Sequence, residues 1–113
     1  MNHIPKTEKF KVLERLLDQK ILFLDGAMGT SMQHYLLKEE DFRGDILLDH
    51  SIDVKGNNEL LNITKPDVIK NIHYNFLKAG VDIIATNTFG ATDIAQEDYA
   101  TTSFVNEMNR SAV

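Results

Sequence analysis

The sequence contains no cysteine. No disulfide, thiol nucleophile or thiolate-held metal can therefore be built from these residues. Long apolar runs are missing too. The longest, Ile21 to Leu24, falls far short of the ~20 residues a membrane-spanning helix needs. The first twenty residues interleave Lys6, Glu8, Lys9, Glu14 and Asp18 with apolar positions, unlike the uninterrupted apolar stretch of a secretion signal. A cytoplasmic protein is expected. Positive charge is in short supply, with 12 Lys and Arg against 17 Asp and Glu and a net charge of −5. That balance disfavours nucleic acid or an anionic membrane as a partner. The four histidines, His3, His34, His50 and His73, form no HxH or HxxxH pair, so no self-contained metal site is expected.

What is present is an ordinary globular composition, 42% apolar and 26% charged over 113 residues. Phe10, Leu13, Leu16 and Leu17 recur at helical spacing and predict an amphipathic helix over 8–19. Ile21-Leu22-Phe23-Leu24, ended by Asp25-Gly26, reads as a strand apolar on both faces. Met28, Met32, Tyr35 and Leu36 predict a helix over 28–38. Weak periodicity from Glu39 to Leu61 predicts a long structured loop. Within it Glu39-Glu40-Asp41 reads as a solvated acidic run. Lys55-Gly56-Asn57-Asn58 reads as a turn in which asparagine bonds its own backbone. Thr64-Lys65-Pro66-Asp67 opens another helix, with Ile69, Ile72, Phe76 and Leu77 on one face and Ala79-Gly80 at its end. Val81 to Thr86 reads as a second strand. Helical patterns over Thr92–Tyr99 and Phe104–Ala112 follow, without a stop signal before the last residue.

Strands alternating with helices imply an α/β fold with a parallel sheet. Two strands cannot complete one, and a (β/α)8 barrel takes roughly 250 residues. The expectation is an incomplete (β/α)8 barrel. Residues 1–20 would form an N-terminal helix and 21–113 the first two β/α units with their flanking helices.

Ligands of parallel α/β folds gather beyond the carboxyl ends of the strands. There the sequence places Asp25-Gly26-Ala27-Met28-Gly29-Thr30 and Thr86-Asn87-Thr88-Phe89-Gly90. The first could hold an amino acid, its ammonium on Asp25 and its carboxylate on amides at the helix start. The plainer alternative is a turn and a helix cap. Gly26 and Gly29 do not make a phosphate loop, because no Gly-Lys-Ser/Thr ending follows. His73, beside Ile69 and Phe76, reads as a packed structural histidine. Asp49-His50 with Asp53 could be drawn as a proton relay, but no nucleophile accompanies it.

Three segments read together are far more specific. LFLDGAMGTSMQ, DFRGD followed by DVKGNNELLNITKPDVIKNIH, and AGVDIIATNTFGAT resemble the opening of the cobalamin-dependent methionine synthase family, from about Ile21 to Thr92. The acid-glycine turn is shared with betaine-type and S-methylmethionine-type homocysteine methyltransferases. DFRGD and KGNNELL favour the cobalamin-dependent branch.

The resemblance implies a methyltransferase whose first barrel binds homocysteine. Separate modules for methyltetrahydrofolate, cobalamin and S-adenosylmethionine would follow, and methylcobalamin would donate the methyl group that makes methionine. It implies a zinc ion held by three cysteines that turns the homocysteine sulfur into a nucleophile. It places Asp25, Gly26 and Ala27 at the amino-acid end of homocysteine, and Thr86, Asn87 and Thr88 at the mouth near the metal. The departure is the missing cysteine. No catalytic residue, zinc or cobalamin is expected on this chain alone, which is expected to be inactive by itself. The alternatives are a small non-catalytic amino-acid-binding α/β protein and a self-associating one, whose strand edges a second chain would cover.

Overall fold

The computed structural model describes residues 5–113. His3 and the rest of the first four residues of the expected N-terminal segment lie outside them. Helix α1, Glu8–Gln19, starts where Thr7 Oγ1 accepts the Phe10 amide at 3.2 Å. The spacing of its apolar residues is helical, yet the helix buries none of them. Its charged side chains pair locally, Lys6 with Glu14 and Lys11 with Glu8. Lys6 also lies 5.4 Å above the Phe10 ring.

The expected α/β fold with an incomplete barrel is corrected here. Every element among the described residues is a helix, and the two expected strands meet only as one isolated parallel bridge, Leu24 to Ile83. The reason lies in two aspartates. Around the bridge the bonds are those of a parallel ladder: the Ile83 amide donates to Phe23 O at 3.1 Å and the Asp25 amide to Ile83 O at 3.0 Å. One step further out, each ladder amide turns to a carboxylate instead. The Ala85 amide donates to Asp25 Oδ1 at 2.9 Å, and the Phe23 amide to Asp82 Oδ2 at 3.0 Å. Side-chain acceptors compete with the backbone and stop the ladder after one rung. Nor does a layer cover it, since Ile21 is 82% exposed and Phe23 64%.

Helix α2 is Met28–Gln33, shorter than the predicted 28–38 because Leu36 takes a left-handed φ of 50°. The expected loop from Glu39 to Leu61 is in fact the centre of the molecule. It contains α3, Glu39–Arg43, and a 3-10 turn, Asn58–Leu60, running into α4, Leu61–Thr64. Leu47, Val54, Leu60 and Leu61 from this stretch are buried, the last three fully. Periodicity failed there because the apolar residues sit on short elements and turns that bury them one or two at a time.

Helix α5, Pro66–Ala79, begins with proline and Asp67 in its first turn and packs Ile69 and Ile72 inward. Gly80, at φ 104°, ends it, with the Gly80 and Val81 amides bonded to Leu77 O and Phe76 O. Helix α6, Asp93–Glu97, is capped by Thr92. A 3-10 turn over Thr102–Phe104 leads into α7, Val105–Ser111, so the helical pattern closes at Ser111. Helix α4 packs against α3, α5 and α7, and α2 against α5. The core of Met32, Phe42, Leu60, Leu61, Ile69, Ile72 and Met108 lies among them.

Candidate functional site

The DFRGD segment and the stretch leading to KGNN form a frame. Arg43 donates from Nε to Glu39 Oε1 at 2.8 Å, and from its terminal nitrogens to the carbonyls of Leu47, His50 and Ile52. The Glu39 carboxylate accepts the Val54 and Lys55 amides at 2.8 and 2.7 Å. Burial works against the charged form of Glu39, but the two amides and the Arg43 guanidinium outweigh it and hold its pKa below the ordinary value. Asp41 accepts the Lys38 amide at 2.9 Å and meets Lys65 at 3.1 Å, and these hold its carboxyl low as well. Glu39 and Asp41 are therefore wired into the fold, while Glu40 between them is exposed as expected of a solvated run. Gly44 sits at φ 53°, and a Cβ there would stand 3.1 Å from the Thr64 side chain, so a larger residue would strain the backbone and push Thr64 aside. His50 donates from Nε2 to Tyr99 O at 2.7 Å, a tie between loops rather than a proton relay.

That frame sets Asn57, Asn58 and Glu59 beside the second apolar segment. Asn57 bonds away from its own backbone. Its amide nitrogen donates to Gln96 Oε1 at 2.7 Å, and Gln96 Nε2 returns a bond to Asn57 Oδ1 at 3.0 Å, both side chains being buried. The Asn58 carbonyl accepts Asn87 Nδ2 at 2.9 Å. Glu59 Oε1 accepts the Gly90 amide at 2.9 Å, and a Cβ on Gly90 would come within 3.0 Å of its carboxylate.

Asp25 ends the first apolar segment. Only 5% of its side chain is exposed. Oδ1 is held by the Ala85 amide, while Oδ2 lies 3.9 Å from Nδ1 of His73 on α5. Gly26 is exposed, and a Cβ there would meet nothing within 4 Å. Ala27 takes a left-handed φ of 48° at the start of α2, which has six residues. The Asp25–Ala85 bond brings the two predicted sets together, since Thr86 follows directly.

Within the second set, Thr86 and Thr88 share a hydroxyl hydrogen bond of 2.8 Å. Thr86 is exposed and Thr88 half-buried. Asn87 turns inward. It is buried, donates to Asn58 O and to Asn62 Oδ1 at 2.9 Å, and accepts Asn62 Nδ2 on its own carbonyl at 2.8 Å. Its side-chain amide is thus spent on the interior. Sequence reasoning missed His73 as a neighbour of Asp25, and it missed the Asn58-Glu59 pair. Only the helical register of His73 with Ile69 and Phe76 hinted that its ring faces inward.

A cavity of 540 Å³ opens alongside α2, lined by Gly29, Met32, Leu36, Phe42, Lys55 and Asn58 among others. It adjoins the turn after Asp25 without including that residue.

A family model described as homocysteine S-methyltransferase matches residues 22–113, a span that takes in both apolar segments, their turns and the frame between them. The chain belongs to the homocysteine S-methyltransferase family. The family's chemistry is methyl transfer to homocysteine, and a homocysteine substrate fits it. Among the described residues no helix is long and apolar enough to cross a membrane.

The zinc ion implied by the resemblance does not fit the residues present. The chain has no cysteine, and among the described residues no group of three His, Asp or Glu side chains is placed to hold a metal.

Proposed function

We propose that the chain supplies the amino-acid-recognising part of a homocysteine methyltransferase of the cobalamin-dependent methionine synthase type. The methyl group would come from methylcobalamin, and sulfur activation would come from groups outside these residues. DFRGD and KGNNELL favour that branch. The observation that carries the reading is the Asp25 carboxylate: one oxygen is fixed by the Ala85 amide, and the other keeps acceptor capacity beside the Ala27 turn. Its site is largely withdrawn from water, so an ammonium reaching it is screened less than it would be at the surface. Thr86 and Thr88 offer hydroxyls next to that point. Asn87 acts by holding their backbone in place through Asn58 and Asn62.

Calorimetric titration with homocysteine tests this. Binding is expected for homocysteine and at least tenfold weaker for 4-mercaptobutanoate, which lacks only the ammonium. Asp25→Asn keeps an oxygen for the Ala85 amide but loses the charge, and it too should weaken homocysteine at least tenfold. Equal affinity for the two thiols would sink the proposal. The purified chain given homocysteine and methylcobalamin is expected to form no methionine.

A second reading, self-association, is favoured by one observation: Ile21, Phe23 and Leu24, within four positions of each other, are each more than 60% exposed.

A further inference from the structure

His73 is a buried titratable side chain that the proposed function leaves without a task. It sits on α5 after Ile69 and Ile72, with 14% of its side chain exposed. Its Nδ1 is fully buried and has no hydrogen-bond partner among the described residues. Buried polar atoms are nearly always paired, so this one needs a reason. The nearest charged atom it faces is Asp25 Oδ2, 3.9 Å away. That exceeds a hydrogen bond, and closing it takes about 1 Å of movement.

We propose that His73 is the positioning residue of the Asp25 carboxylate, donating Nδ1–H to Oδ2 and so fixing the carboxylate plane for a ligand ammonium. The inference rests on the reading of Asp25 as the ammonium acceptor. Once that gap closes, each donor has its own place. The Ala85 amide takes Oδ1, the imidazole takes one lone pair of Oδ2, and the second lone pair of Oδ2 is left for the ligand. A neutral ring protonated on Nδ1 does this without cancelling the carboxylate's charge. A purely structural histidine needs no particular tautomer and no particular nitrogen facing Asp25.

Variants separate the two roles, because an asparagine amide nitrogen falls near Nδ1 of a histidine and a glutamine nitrogen near Nε2. His73→Asn should bind homocysteine within about threefold of the native chain. His73→Gln and His73→Leu should lose at least tenfold, with circular dichroism confirming that each is folded. Nitrogen-15 imidazole spectra provide a readout independent of binding. His73 should carry its proton on Nδ1, and Asp25→Asn should shift that nitrogen's resonance. If the native chain fails to bind homocysteine, the functional reading fails, while the spectra still decide whether the two side chains are coupled. An Nδ1 resonance unmoved by Asp25→Asn, or folded Asn, Gln and Leu variants with equal affinity, would overturn the proposal.

Discussion

At the scale of single residues, this chain spends its amides on its interior. Asn57, Gln96 and Thr101 form a closed set, with Thr101 Oγ1 donating to Gln96 Oε1 at 2.7 Å and Gln96 Nε2 also reaching Gly90 O at 2.8 Å. Such a set fixes one arrangement of the chain because every alternative leaves a polar group unpaired. Gln96→Leu should therefore cost about 1–3 kcal/mol for each buried partner it strands. The measurement is the urea midpoint, and an unchanged midpoint would contradict the assignment. Asp25 was legible in the sequence as a carboxylate on a turn, and the structure places it beside Ala85. Its neighbour His73 was not legible, since the two are 48 positions apart and no local pattern marks a contact that distant. Asn87 was singled out by the resemblance as a mouth residue. Its amide bonds to Asn58 and Asn62, a partnership visible only once α4 and the second apolar segment are side by side.

At the scale of elements, the long helices declared themselves, the short ones within 39–64 did not, and strands did not form. Helix α1 was readable from its apolar spacing, and α5 from its opening proline and Asp67, its apolar face and its closing Gly80, signals that each depend only on nearby residues. The segments at 21–24 and 81–86 carried a strand pattern but were stopped by Asp25 and Asp82, which take the amides a longer ladder would use. Periodicity cannot register that competition. Acid provides the test at this scale. The pKa of Asp82 is lowered by the Lys20 ammonium at 2.6 Å and the Phe23 amide, and Glu39 and Asp41 are lowered as described above. A carboxyl depressed in the folded state adds stability that is present above its unfolded pKa and is lost as pH falls through the folded one. Stability should thus be flat near neutrality and decline below the ordinary values of 4.5 for Glu39 and 3.8 for the aspartates. Glu39→Gln should lower stability at pH 7 and make the acid decline shallower. Urea titrations at pH 7 and pH 3 read both effects, and a slope unaltered by the substitution would contradict the role of the Arg43–Glu39 frame.

At the scale of the whole molecule, the described residues form a slab of 51 × 37 × 18 Å with a radius of gyration of 16.6 Å. A compact domain of this length has a radius of gyration of about 13 Å. The core sits around α4, and α1 contributes no buried residue to it. Ile21, Phe23 and Leu24 form an apolar surface that water meets directly, the kind of surface that drives association. Sedimentation velocity should show mass rising with concentration, and Phe23→Ser should weaken that rise. A monomer at every concentration would remove the self-association reading without touching the homocysteine one.

The measurement that bears most directly on the account is an amide-resolved nuclear magnetic resonance titration of the native chain with homocysteine. Saturable shifts should appear at Asp25, Gly26 and Ala27 and at Ala85, Thr86 and Thr88, together, with one shared dissociation constant. Shifts confined to remote residues such as Asp45 to Ser51, or none that saturate, would contradict a joint amino-acid site at the two turns.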